Sequence, residues 1–222
     1  MKYRWLRARR WYLGHKGIAE PMGSLLASPL PGRSAPFEDV EIVALDIETT
    51  GLDAASADML SVGWVLLRGG RVDLSTARSL IVRPSHGVGA SASVHGLTDT
   101  VVESGRDWQN VLDEIVEVLS GRILLVHHAG LDKALLDRMC LRRFNTRLHV
   151  PVSDTLDLEL KIRQRKHHLE EGSSLRLSAL RKAYGLPRYS AHDCLIDAIA
   201  TAELLIAMVA HGNKVSLGDV LT

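Results

Sequence analysis

Asp46 and Glu48 stand two residues apart at the end of the most apolar stretch of the chain, Val40 to Ile47. Side chains two apart on a strand point to the same face, so the two carboxylates project together. Like charges that close are costly unless protonated, paired with a cation or bound to a metal. A strand end already in solvent removes that cost, and these two residues alone favour neither reading. Asp132 falls in line with Leu135, Leu136 and Met139 at helical spacing, an acid in an apolar stripe. A salt bridge to a nearby Arg or Lys would account for it, although Lys133 and Arg138 point elsewhere on the wheel. Asp197 shares a helix face with Asp193 and His211, and periodicity reads that face as wet. His192 sits in the first turn of the same helix, where a lone histidine is more often structural than catalytic, and Asp193 is assigned to helix capping and the helix dipole. As a donor set, Asp and Glu oxygens without cysteine and with one nearby His suit Mg²⁺ or Mn²⁺ rather than zinc. Four carboxylates can hold two such ions, and two ions about 3.5–4 Å apart can activate a water and stabilise the leaving oxygen of a phosphodiester. These residues permit phosphoryl chemistry without requiring it.

The elements that must position them follow from the surrounding patterns. Val40 to Ile47, apolar and β-branched, is expected to be a central strand covered on both faces. Two more strands are expected near Met59 to Leu67 and Arg71 to Val82, with Gly69-Gly70 making the turn. Asp107 to Leu119 has helical spacing, with Val111, Ile115, Val118 and Leu119 on one side and Gly121 ending it. Ile123 to Val126 reads as another buried strand, followed by helical spacing from Ala129 to Leu141. Lys161 to Glu171 is a charged stretch, gathering Arg163, Arg165, Lys166, His167 and His168, that reads as solvated surface able to flank a substrate path. In the last helix Ser190 with Asp193 makes a capping-box-like start, apolar residues run through Leu195, Ile199, Ala202, Ile206 and Val209, and Gly212 supplies the stop. Strands first, then strands alternating with helices, indicate an α/β or α+β domain around a mixed sheet.

The 222 residues, 46% hydrophobic, suffice for one sizeable core. A formal charge of +1 creates no overall field toward DNA or a membrane, so any nucleic-acid contact must be local. The two cysteines, Cys140 and Cys194, lack the spacing of a zinc site or disulfide framework, and a reducing cytoplasm is the expected location. No apolar run is read as a membrane span, and the basic, aromatic start is not a signal core. Residues 1–36 are expected to form an arm and linker, with the folded domain spanning 37–222. The arm carries Lys2, Arg4, Arg7, Arg9, Arg10 and Lys16 among Tyr3, Trp5, Trp11 and Tyr12, a mixture that could grip phosphates and stack on bases. The preferred reading is an amphipathic helix packing its aromatics on the domain. Prolines at 21, 29, 31 and 36, with glycines and serines, give the segment after it a linker composition.

Three segments occur in a telling order: Asp46-Ile47-Glu48-Thr49-Thr50-Gly51-Leu52, His127-His128-Ala129-Gly130-Leu131-Asp132, and His192-Asp193-Cys194-Leu195-Ile196-Asp197-Ala198. This order resembles the DEDDh, or DnaQ-like, 3′–5′ exonuclease family, including the exonuclease domain of the DNA polymerase III epsilon type. Val94-His95-Gly96-Leu97-Thr98 and Asp154-Thr155 look like its intermediate landmarks, and the similarity covers roughly Ile42 to Met208. The resemblance implies a ribonuclease H-like fold, a five-stranded mixed sheet with helices on both sides. It implies that Asp46, Glu48, Asp132 and Asp197 are the metal ligands, with Asp46 shared between two Mg²⁺ or Mn²⁺ ions. His192 is then the general base, a role an imidazole can fill near neutral pH. Thr49, Gly51 and Leu52, with His95 and His128, would border the terminal nucleotide. Two departures touch that border: His128 stands where the family commonly has Asn, and Leu131 where it has Phe. Cys194 in place of Ala is a small change read as packing.

The implied activity is hydrolysis of terminal phosphodiester bonds at single-stranded 3′ ends, DNA favoured over RNA, releasing nucleoside 5′-monophosphates in DNA repair, proofreading or RNA trimming. Single strands are expected because the terminal nucleotide must enter a closed site unstacked. A binding or regulatory protein on the same fold is the alternative, disfavoured because all four acids and the histidine are present. A polymerase or other protein partner is the third reading. Proofreading subunits carry a long segment after the nuclease domain, whereas this sequence ends about ten residues past Gly212.

Overall fold

The computed structural model describes residues 2–51, 53–83, 104–166, 174–190, 192–212 and 216–222. Six strands among them, β1 (Ile42–Thr49), β2 (Met59–Arg68), β3 (Arg71–Arg83), β4 (Arg106–Asp107), β5 (Ile123–Val126) and β6 (Val152–Asp154), form one sheet ordered β4-β3-β2-β1-β5-β6. The β1/β2 and β2/β3 pairs are antiparallel, whereas β1/β5, β5/β6 and β3/β4 are parallel. The two-residue β2–β3 turn places Gly69 and Gly70 at φ +57° and +68°, the left-handed pair such a tight hairpin requires. The sheet has one strand more than the five expected: β4 is too short and too polar to leave a periodic signal, and pairing with the end of β3 alone defines it.

Eight α-helices among the described residues cover the sheet: α1 (Lys2–Gly14), α2 (Met22–Ala27), α3 (Trp108–Val118), α4 (Ala129–Phe144), α5 (Thr155–Lys166), α6 (Leu177–Ala183), α7 (Cys194–Gly212) and α8 (Leu217–Val220). Alternation along β1 divides the core. Val43, Leu45 and Ile47 join Val111, Leu112, Ile115, Leu135 and Leu136 on the α3/α4 side. Ile42 and Ala44 join Ala202, Leu205 and Met208 on the α7 side. Asp46 and Glu48 continue the second set, so the strand's two acids face the layer that carries α7. At 19 residues α7 is long and apolar enough to cross a membrane by length and composition, contrary to the expectation that no run approaches that length; in the fold, Ala198, Ala202, Leu205 and Met208 are buried within the core.

The segment from Pro21 to Pro36 departs from its linker composition. Met22, Leu25 and Leu26 on α2 are buried in the α3/α4-side core, because two turns of helix between the prolines suffice to align three large apolar side chains. The charged stretch begins inside a helix, α5, whose polar composition hid it from periodicity; its remainder, with His167 and His168, lies outside the described residues.

Candidate active site

The β1 acids are set by the sheet itself. Asp46 lies opposite Gly63 and Glu48 opposite Ser61 on β2, and the register shifts between Glu48 and Thr49, where the strand turns away. Beyond it, Thr49 Oγ1 donates to the Gly51 carbonyl (2.7 Å), while Thr50 Oγ1 accepts from the Asp58 N–H (2.9 Å). These bonds tie down the exit loop on which two of the expected nucleotide-bordering residues sit. Leu52 and His95, also expected at that border, lie outside the described residues.

Asp197 reaches the same place from α7. Asp193 caps this helix, accepting from Leu195 N (3.0 Å) and Ile196 N (3.1 Å), so the helix begins at Cys194 and Ser190 does not cap it. The first turn then lies against β2: a Cβ on Gly63 would stand 2.4 Å from Leu195 N and 2.5 Å from Cys194 C, closer than any side chain tolerates. Gly63 is therefore what lets the helix backbone come down beside Asp46. Such a glycine inside an apolar strand is itself a signal of close backbone approach. Cys194 packs at this contact, buried, with Sγ 3.7 Å from Ser79 Oγ.

One oxygen from each of Asp46, Glu48 and Asp197 lies within 4.8 Å of the others. Asp197 is half-buried in this group, so the wet face suggested by periodicity is corrected by the packing of α7 on the sheet. Asp132 is buried in the first turn of α4 beside this group, with Leu135, Leu136 and Met139 buried on the same stripe. The salt-bridge explanation for it fails among the described residues: Lys133 pairs with Asp137 (2.5 Å), and Arg138 donates to the carbonyls of Ala55 and Ala57. Burial, then the charges of Asp132, Asp197, Glu48 and Asp193, pushes the Asp46 carboxyl well above the usual carboxylate range. Burial, then Asp154 and Glu48, pushes Asp132 up to about 8. Burial also raises Asp197, against the lowering effect of the His192 N–H. Hard oxygen donors this concentrated and this poorly neutralised fit divalent cations.

His192 adopts φ +72° and donates its N–H to Asp197 Oδ2 (2.9 Å), which fixes its backbone at the lip of the site while the residue stays exposed. His128 is also left-handed (φ 81°), and its position before α4 is held by Asp154, whose carboxylate accepts from His128 N (3.0 Å), Ala129 N (2.7 Å) and Leu156 N (2.9 Å). Asn and His are among the residues that tolerate this conformation best, which accounts physically for His at a position where Asn is common. A cleft of about 760 Å³ opens between Asp46, Asp197 and His192 on one side and the cationic side chains Arg176, Lys182 and Arg188 on the other. Buried Arg181 braces its wall, donating to Ala200 O (2.8 Å) and Pro187 O (2.9 Å) and pairing with Glu203 (2.9 Å). Spacing did not single out Gly63 or Arg181, and only the resemblance marked Asp154, because their roles depend on partners elsewhere in the chain.

Known proteins share this arrangement of elements. The chain is 28% identical over 185 residues to the PolC-type DNA polymerase III of Thermotoga maritima, covering 82% of this chain and 13% of that protein. It is 30% identical over 196 residues to a DNA polymerase III subunit epsilon-like protein of Rhodobacter capsulatus, covering 84% and 27%. The chain thus spans only a small part of these relatives. Among solved structures, Escherichia coli exonuclease I in complex with a 5cy-dT13 oligonucleotide superposes with a TM-score of 0.65 at 15% identity, over 82% of this chain and 42% of that one. Exonuclease X in complex with 5′-overhanging duplex DNA superposes with a TM-score of 0.59 at 22% identity, over 82% and 97%. These likenesses show a ribonuclease H-like exonuclease fold. Residues 43–205, which contain the four acids, His192 and the elements that carry them, match the RNase_T exonuclease model, and the chain belongs to that family.

Proposed function

We propose that this nuclease is a two-metal-ion DEDDh 3′–5′ exonuclease that removes single nucleotides from single-stranded ends, DNA in preference to RNA. The convergence of Asp46, Glu48 and Asp197 oxygens within 4.8 Å, with Asp132 buried alongside, carries this reading. Two bound Mg²⁺ or Mn²⁺ ions would supply activation of the attacking water and stabilisation of the leaving oxygen. Asp46, Glu48, Asp132 and Asp197 would hold them, with Asp46 central because both Asp132 and Asp197 act on its charge. His192 takes the proton of the attacking water. The water oxygen bonds to phosphorus as the bond between phosphorus and the 3′-oxygen breaks; the released 3′-oxygen takes a proton from solvent, so the shortened strand keeps a 3′-hydroxyl and the terminal nucleotide leaves as a 5′-monophosphate. Thr49, Gly51, Leu52, His95 and His128 border that nucleotide, and the cations of the cleft meet its phosphates. The oligonucleotide and duplex DNA bound by the structural relatives support DNA as the polymer, and the PolC-type and epsilon-like relatives support association with a polymerase. Two buried, unpaired cysteines agree with a reducing cytoplasm.

Degradation of 5′-labelled single-stranded DNA and RNA with Mg²⁺ or Mn²⁺ tests this. The expected result is a ladder shortening from the 3′ end that needs metal, favours DNA, and disappears in Asp46→Ala and His192→Ala. Absence of cleavage of either polymer by folded, metal-binding wild type would overturn it.

A further inference from the structure

The acidic and basic residues of the chain nearly cancel, yet they are not evenly spread. The first sixteen residues hold six of the 27 basic residues and none of the 26 acidic ones, so the remainder, with 21 basic against 26 acidic, carries −5. These cations lie on or just beyond α1, which is firmly docked. Tyr3 donates its hydroxyl to Pro31 O (2.5 Å), and buried Arg10 donates to His149 O (2.7 Å), Ser28 O (2.9 Å) and the Leu25 carbonyl. Docking consumes only Tyr3, Arg10, Leu13 and part of Leu6. Trp5, Trp11 and Tyr12 are 63%, 70% and 47% exposed, against the expectation that the aromatics pack on the domain. Large aromatics left in water among cations, on a rigid helix, need another reason.

Each exposed tryptophan stands at a cleft. Trp5, with Lys2, Arg33 and Lys161, lines one of about 820 Å³ floored by Val150 and Val152, away from the carboxylates. Trp11, with Arg7 and His15, lines another of about 440 Å³ on α2 and the chain that follows it. Neither lining includes an acidic side chain, and no ion pair holds the α1 cations among the described residues. We propose that α1 and the two clefts beside it form a second binding surface for single-stranded nucleic acid, separate from the active site, on which bases stack on Trp5 and Trp11 while Lys2, Arg7, Arg33 and Lys161 meet phosphates. Alternating planar rings and cations match a polymer of bases and phosphates. A membrane would need a continuous apolar face, and the apolar side of α1 is already spent on the domain. The surface would hold the body of a strand whose 3′ end is being shortened. That role rests on the exonuclease reading; the binding itself does not.

The test compares wild type with Trp5→Ala/Lys161→Ala, two exposed positions on opposite sides of one cleft. In EDTA, fluorescence anisotropy measures the affinity of a labelled oligothymidylate, and in Mn²⁺ the p-nitrophenyl ester of thymidine 5′-monophosphate reports the active site alone. With an oligothymidylate of about 20 nucleotides, the variant should bind about tenfold or more weakly, with a shallower salt dependence, and hydrolyse the ester at the wild-type rate. Trp5→Phe, which keeps a stacking ring, should retain most of the affinity. Unchanged oligonucleotide affinity in the folded double variant would overturn the proposal. So would binding to phosphatidylserine–phosphatidylcholine vesicles in its place. Failure of wild type to hydrolyse the ester, with the affinity difference intact, would overturn the exonuclease reading and leave this surface standing.

Discussion

His192 is exposed, and its backbone N–H holds Asp197 whatever side chain the residue carries. His192→Ala should lower the turnover of single-stranded DNA by about 10²- to 10⁴-fold while leaving Mn²⁺ binding, read by calorimetry, near wild type. A collapse of metal affinity would make it a ligand rather than a base. The acids make the opposite kind of prediction, one about stability without metal. Asp132 is pushed up to about 8 in the fold, chiefly by burial, whereas an unfolded Asp titrates near ~3.9. Between those values the folded chain keeps a proton that the unfolded chain has lost. The stability contributed is therefore complete below the unfolded value and disappears as pH rises through the folded one. In EDTA the Tm should fall from about pH 4 toward pH 8, and added Mg²⁺ or Mn²⁺ should restore it most at the alkaline end. Asp132→Asn in EDTA at about pH 8 should raise Tm by several degrees, since each kcal/mol is worth about 2–4 °C in a chain of this size, while abolishing activity. A Tm independent of pH across this range would mean that the carboxylates are neutralised by other means.

At the scale of elements, the site is made where the first turn of α7 meets β2. Asp197 comes within reach of Asp46 because Gly63 presents no Cβ to Leu195 N, which would otherwise be 2.4 Å away. Backbone cannot yield as the end of a long side chain can, so Gly63→Ala must lift the helix or bend the strand. Overpacking of this kind typically costs about 1–3 kcal/mol, and here it should also weaken Mn²⁺ binding and activity by moving Asp197. Thermal unfolding paired with Mn²⁺ calorimetry checks this; wild-type metal affinity in Gly63→Ala would show that the close approach does not set the ligand geometry. Opposite this contact, Asp154 holds the left-handed start of α4 through the N–H groups of His128 and Ala129 and ties it to the first turn of α5 through Leu156 N, so the root of the helix bearing Asp132 is anchored.

Across the whole molecule, residues 2–36 are bound into the fold. Met22, Leu25 and Leu26 are buried against the α3/α4 side, and at about 1.5–3 kcal/mol for each large apolar side chain their loss would consume much of an ordinary domain's net stability. A chain truncated to 37–222 should show a Tm lower by 10 °C or more, or fail to stay soluble, by roughly the same arithmetic; a truncated chain as stable as the full one would return the segment to the status of a linker. Local pattern determined a good deal by itself. The apolar run of β1, the hairpin at Gly69-Gly70, the spacing of α3 and α4 and the side-by-side emergence of Asp46 and Glu48 are all consequences of side-chain periods of 2 and 3.6 residues, which depend on near neighbours only. The resemblance to DEDDh exonucleases added the order of the acids. Tertiary structure alone decided the rest. β4 exists only by pairing with β3, and α2 is held by its burial despite the prolines around it. Asp197 looked wet on its own helix and became part of the acidic cluster when α7 settled on β2. Trp5 and Trp11 had an apolar reason to be covered and were left exposed because Tyr3, Arg10 and Leu13 already filled the contact. Each of these depends on which distant surface an element meets, and burial and electrostatics are properties of that meeting rather than of the segment.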